Sequence, residues 1–123
     1  MLAVAQAQDL IEKAKIDGVD KVYAFNIPSE QVSNTDQTIV LIQDANTNPA
    51  VFGDNDFYGL DRQVEIQVFY KDQLDVDPET IETKLYKLFV HNGWELGQNH
   101  GHLRDNDNGQ LYTTFYVQNL ELI

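Results

Sequence analysis

The chain has 123 residues, with 8 Lys+Arg against 20 Asp+Glu and a formal charge of -12. That length fits one domain with a core of its own. The absence of cysteine excludes disulfides, zinc-thiolate sites and thiol chemistry, and the negative field disfavours binding to nucleic acid or anionic lipid.

The first segment is predicted to be a helix, with Ala3, Ala7, Leu10, Ile11 and Ala14 on one face and Gly18 as its stop. It has no basic leader, and no apolar run approaches membrane-spanning length, so residence in a cytoplasm or in a particle assembled there is expected. Lys21 to Asn26 alternates as a strand that Pro28 ends. Ser29 to Gln37 is polar and turn-like. The branched run Ile39 to Ile42 then predicts a strand buried on both sides, with one face free to meet a neighbouring subunit.

Asp44 to Leu60 is rich in Asn, Gly, Asp and Pro and reads as a long irregular loop. Its apolar residues, Val51, Phe52, Phe57 and Tyr58, either contact a partner or fold back over the sheet edge. Arg62 to Tyr70 alternates strictly. Val64, Ile66, Val68 and Tyr70 face a core, and Gln63, Glu65 and Gln67 face water or a polar interface.

Asp77-Pro78-Glu79 has the chemistry of a helix start, followed by a buried stripe of Ile81, Leu85, Leu88 and Phe89 and by Gly93 as the stop. A strand beginning at Trp94 and Leu96, a turn at Asp105 to Gly109 and a final strand from Leu111 to Ile123 complete the chain. The expected architecture is a single α+β domain over residues 1–123, with a largely antiparallel sheet and two helices packed on one face.

Candidate chemistry is sparse. Asp54, Asp56, Gly59 and Glu65 have the spacing of a calcium loop, but Tyr58 occupies a ligand position and no helix flanks the segment. Asp105 to Gly109 fits that pattern less well than it fits a turn. His100 and His102 sit at strand spacing and would share a face, but no third zinc ligand has a clear spacing. Neither Ser29 nor Ser33 lies in a nucleophile elbow, and no phosphate loop is present. No catalytic residue, metal or cofactor is therefore assigned, and the expectation is a protein that is not an enzyme. The residues put forward as an interface are Ile39, Leu41, Phe52, Phe57, Tyr58, Gln63, Glu65 and Gln67.

Three stretches carry a resemblance. They are Val32-Ser33-Asn34-Thr35-Asp36-Gln37-Thr38-Ile39-Val40-Leu41-Ile42, then Arg62-Gln63-Val64-Glu65-Ile66-Gln67-Val68-Phe69-Tyr70-Lys71, and Leu88-Phe89-Val90-His91-Asn92-Gly93-Trp94 ahead of Thr113-Thr114-Phe115-Tyr116-Val117. From about Val32 onward the chain resembles small tail-region proteins of siphophages that infect lactic-acid bacteria and streptococci. The resemblance implies a virion protein at the head-proximal end of the tail. Its best candidate is the tail terminator, a hexameric ring that caps the major tail tube protein and offers a surface to the head-tail connector protein. A head-completion or connector protein, and a tail-assembly chaperone or binding module, remain alternatives. The resemblance implies no catalytic residues. Strong negative charge would suit a ring lumen through which DNA slides without sticking.

Overall fold

The computed structural model describes residues 1–123. Helix α1 spans Ala3–Ala14 and helix α2 spans Pro78–Val90. The strands are β1 (Lys21–Ala24), β2 (Ile39–Gly53), β3 (Asp56–Phe69), β4 (Glu95–Arg104) and β5 (Leu111–Leu122). They form one five-stranded sheet in the order β1-β2-β3-β5-β4. Only β1 and β2 are parallel; the other pairs are antiparallel. The Phe25–Thr38 connection carries the chain back to start β2 beside β1, as a parallel pair requires.

Both helices lie on the same face of the sheet. Val40 and Ile42 of β2, Val64, Ile66 and Val68 of β3, and Phe115 and Val117 of β5 share that face, and all join Ala3, Val4, Ala7 and Ile11 of α1 and Ile81, Leu85 and Phe89 of α2 in one buried cluster. Aromatic edges fix the α2 side. Phe115 meets Tyr86 at 4.9 Å and 85°, and Trp94 meets Phe89 at 5.4 Å and 77°. The expected α+β domain, with its helices on one face, is the one observed.

Asp77 caps α2 by accepting from the Glu79 N–H at 3.1 Å, with Pro78 at the first helical position. The Asp105–Gly109 turn joins β4 to β5, with Gly109 at φ +71° and its N–H donating to the Asp105 carbonyl. Buried Thr38 ties three strands together. Its carbonyl accepts from the Asp20 and Lys21 N–H groups, and its hydroxyl accepts from the Lys71 N–H.

Two expectations are corrected. The stop of α1 is Lys15, left-handed at φ 49°, rather than Gly18. Gly18, at φ +97°, instead lets the connection run against α2, where an added Cβ would lie 2.8 Å from Ile81 Cδ1. More consequentially, Asp44 to Leu60 is no loop. It is the outer part of a long β2–β3 hairpin, turned at Asp54 and Asn55 with φ of 51° and 62°. Two consecutive positive-φ residues make the tight turn whose twist matches antiparallel strands, and Asp and Asn tolerate that conformation best after Gly. Pro49 fits because its strand is an edge there: β1 covers β2 only from Ile39 to Ile42.

Candidate functional site

The outer hairpin is an arm. Beyond Ile42 its β2 side has no strand neighbour, while its β3 side is accompanied by β5 as far as the Gly59–Leu122 pair. A bulge at Asp44–Asn46 offsets the register where the arm leaves the body. At the tip, Phe52 and Phe57 pair across the strands with ring centroids 6.4 Å apart. Phe52 remains 74% exposed, so the tip aromatics do not fold back over the sheet edge. Tyr58, Val51, Leu120 and Leu122 are also exposed, and the Ile123 N–H donates to the Tyr58 carbonyl. Leu120 and Leu122 stand beside Asp61 and Gly59 on the helix-free face, and alternation puts Tyr58 on the other, so the distal end of the three strands exposes apolar side chains on both faces.

Val51 has φ 57°, an unfavourable conformation for a β-branched residue. Its Cγ2 lies over Gly59, 3.0 Å from where a Cβ would stand. Gly59 is the close-approach position that lets Val51 and Leu120 cross the arm.

The remaining predicted interface residues lie on the helix-free face. Ile39 and Leu41 are 2% and 7% exposed, so the chain itself covers the two residues expected to meet a neighbour. Ile39 stands in register between Lys21 and Phe69, and Leu41 between Tyr23 and Gln67, and these larger neighbours shade the branched side chains. Gln63, Glu65 and Gln67 are half-buried and bonded internally. Gln63 accepts from Asn46 Nδ2 at 3.0 Å, Glu65 accepts from the Tyr116 hydroxyl at 2.9 Å, and Gln67 donates to Thr114 Oγ1 at 3.5 Å. The Glu65 bond pushes the Tyr116 phenol above its ordinary range.

Sequence reasoning missed two polar clusters. In the first, Arg62 is 6% exposed and reaches four partners. Its guanidinium donates to the Met1 carbonyl at 2.9 Å, Gln6 Oε1 at 2.7 Å and Asn119 Oδ1 at 3.1 Å, and pairs with Glu121 at 2.8 Å. It fastens the start of α1 to β3 and β5. The second cluster is Tyr70, Glu82 and His102. Glu82 is 4% exposed; it accepts from the Tyr70 hydroxyl and lies 2.7 Å from His102 Nε2. Burial first, then the Glu82 bond and charge, push the Tyr70 phenol far above its ordinary range. Such a phenol holds its proton at neutral pH, so the cluster latches α2 to β3 and β4. Its signal in the sequence was Glu82 itself, a carboxylate next to Ile81 on the apolar stripe.

His100 and His102 are not brought together. Gly101, at φ +75°, sits in an irregular stretch of β4. His102 turns to Glu82 on the helix face, and His100 packs on Tyr116 on the other, with ring centroids 5.4 Å apart. No group of three or more His, Asp or Glu side chains is placed to hold a metal ion. Asp54 and Asp56 serve the hairpin turn, where Asp56 accepts from the Phe57 N–H. No helix is long and apolar enough to cross a membrane.

One family model, described as "Protein of unknown function (DUF806)", matches residues 2–121. No curated protein matches the chain.

Proposed function

We propose that this chain, which belongs to the DUF806 family, is a tail terminator-like assembly subunit of a siphophage, closing as a ring on the end of the tail tube and offering a joining surface to the head connector. The observation that carries the reading is the apolar end of the arm. Phe52, Val51, Leu120 and Leu122 lie exposed at the distal end of the projecting strands, with Tyr58 exposed on the opposite face, and exposed apolar side chains gathered at one end of a fold are the form that a protein–protein contact takes. A sheet with both helices on one side is also the outline that the tail-protein resemblance implies. Between Ile39 and Phe69 the only basic residue is Arg62, which is buried and paired with Glu121. The arm's solvent-facing charge is therefore acidic, which suits a passage for DNA that must not adhere.

A ring of identical subunits uses two different faces of each copy, related by a rotation that closes. Light scattering after gel filtration, with and without a purified siphophage tail tube protein, tests the reading. The expected result is a hexamer, alone or formed on the tube. A strict monomer that never joins purified tubes would overturn it and move the role to a chaperone. Phe57→Ala with Tyr58→Ala is expected to lower assembly with little change in the melting midpoint of the subunit. An equal loss of thermal stability would make these two residues part of the fold rather than of the contact.

A further inference from the structure

The chain has two Asn–Gly pairs, Asn92–Gly93 and Asn108–Gly109. An asparagine before glycine is open to attack on its own side-chain amide by the next backbone nitrogen, because glycine has no Cβ to crowd the approach. All four residues are exposed, and nothing lies within 4 Å of where a Cβ on either glycine would stand. Exposure and room therefore do not separate the two pairs. The direction in which the fold holds each asparagine does.

Asn92 lies just past α2 and is held backward. Its Nδ2 donates to the Leu88 carbonyl at 2.7 Å, which turns the side chain along the helix and away from the Gly93 nitrogen. Asn108 is held forward. Its Oδ1 accepts from the Gln110 N–H at 2.9 Å, a bond that folds the side chain over the intervening Gly109 nitrogen. The same N–H sits on the oxygen that gains charge when the amide carbon is attacked. The backbone nitrogens run the other way. The Gly109 N–H donates to the Asp105 carbonyl at 2.8 Å, whereas the Gly93 N–H is 3.4 Å from its acceptor on Val90. Orientation outweighs this difference, because ring closure within one residue depends on productive geometry, while an exposed turn opens readily to water.

We propose that Asn108 is a self-modification site, converting through a cyclic imide while Asn92 is spared. The Gly109 nitrogen loses its proton to water and bonds to Asn108 Cγ. The Cγ–Nδ2 bond breaks and ammonia leaves. Water then opens the imide at either carbonyl, giving aspartate or, with the main chain rerouted through Cγ, isoaspartate. Isoaspartate lengthens the main chain by one carbon inside the turn that the Asp105 N–H closes on the Gln110 carbonyl at 2.9 Å. Either product adds a negative charge close to Asp105 and Asp107. Gln110 is 5% exposed, and its Nε2 donates to the Tyr70 carbonyl at 3.1 Å, so a distorted turn pulls on the end of β3. Conversion loosens the β4–β5 end of the sheet as the chain ages, at the opposite end from the arm, and it does not depend on the ring reading.

The unaltered chain supplies its own control. It is aged in mildly alkaline buffer, folded or in guanidinium chloride, and samples are digested with trypsin over time. Cleavage after Lys87 and Arg104 places Asn92 and Asn108 on different peptides, and fragmentation in the mass spectrometer separates Asn108 from Asn106 and Asn119. The gain in mass from amide to acid, and the appearance of paired aspartate and isoaspartate forms, report conversion at each site. In guanidinium the two sites are expected to convert alike, since glycine follows both. In the folded chain Asn108 is expected to lead Asn92 by about tenfold, a barrier difference of about 1.4 kcal/mol. Asn92 keeping pace with Asn108 in the folded chain overturns the inference. So does a folded chain in which neither site converts while both convert in guanidinium, because the bond from Gly109 to Asp105 then prevails over the side chain's orientation.

Discussion

Tyr70→Phe isolates one of the hydrogen bonds that latch α2 to the sheet. The ring is 1% exposed, and phenylalanine fills the same space, so packing is retained. What goes is the hydroxyl that donates to Glu82 and makes a 3.4 Å contact with the Pro78 carbonyl. Glu82, 4% exposed, is left with His102 Nε2 alone. A hydrogen bond to a charged group contributes about 1.5–3 kcal/mol. For 123 residues the entropy of unfolding is about 0.26 kcal/mol/K, so the midpoint should fall by about 6–12 °C. Calorimetry at pH 7 reads this directly.

The alkaline limb gives a second reading of the same bond. The Tyr70 phenol is raised in the folded chain by burial and by Glu82, so the folded state keeps a proton that the unfolded state releases near pH 10. Its contribution is complete below about pH 10 and is lost above it at about 1.4 kcal/mol per pH unit. Tyr86 and Tyr116 are also raised, by burial and by the Glu65 bond respectively, but they are present in both proteins and cancel in the comparison. The two melting curves should therefore converge as pH rises through 11. A midpoint within about 1 °C of the parent at pH 7, worth only about 0.26 kcal/mol, would refute the latch. So would an alkaline loss that the variant shares in full.

Three further substitutions test the fold. Asn55→Gly, at φ 62° in the hairpin turn, should raise stability by about 0.5–1 kcal/mol, because glycine adopts that conformation without a Cβ penalty; a chemical denaturation midpoint that falls would contradict the turn. Gly18→Ala places a methyl 2.8 Å from Ile81 Cδ1 at φ +97° and should cost about 2 kcal/mol by the same measurement; no loss would mean that the α1–β1 connection does not press on α2. Arg62→Gln removes a buried cation from Met1, Gln6, Asn119 and Glu121 and should cost about 3 kcal/mol. Hydrogen exchange should then speed up in α1 ahead of the sheet, and uniform exchange would deny Arg62 its role as the fastener.

The legible parts of the sequence were those where one local signal had no rival. Asp77-Pro78 marks a helix start because the cap and the missing N–H are both local requirements, and α2 begins there. Strict alternation from Val64 to Tyr70 placed four residues on the core face. The arm was illegible because its strand is an edge. Asn46, Asn48 and Pro49 need no apolar alternation and no second strand partner, so a hairpin there has the composition of a loop. What identifies it is Asp54-Asn55, a pair able to take consecutive positive φ, set between Phe52 and Phe57. Phe52, Phe57 and Tyr58 drew notice from their chemistry, and they stand on a paired hairpin rather than in the loop expected for them. Ile39 and Leu41 are buried within the chain, because their neighbours' bulk, which pairing alone determines, hides them. His100 and His102 parted because Gly101 breaks the alternation that spacing assumes.

The central claim is that this chain ends a tube by adding a closed ring. Electron microscopy of tail tubes polymerised with increasing amounts of the chain tests it most directly. The account predicts that growth stops, with a ring of density at one end only, and that Phe52→Asp leaves tubes growing uncapped. Tubes that lengthen equally at every ratio and carry no terminal density would contradict it.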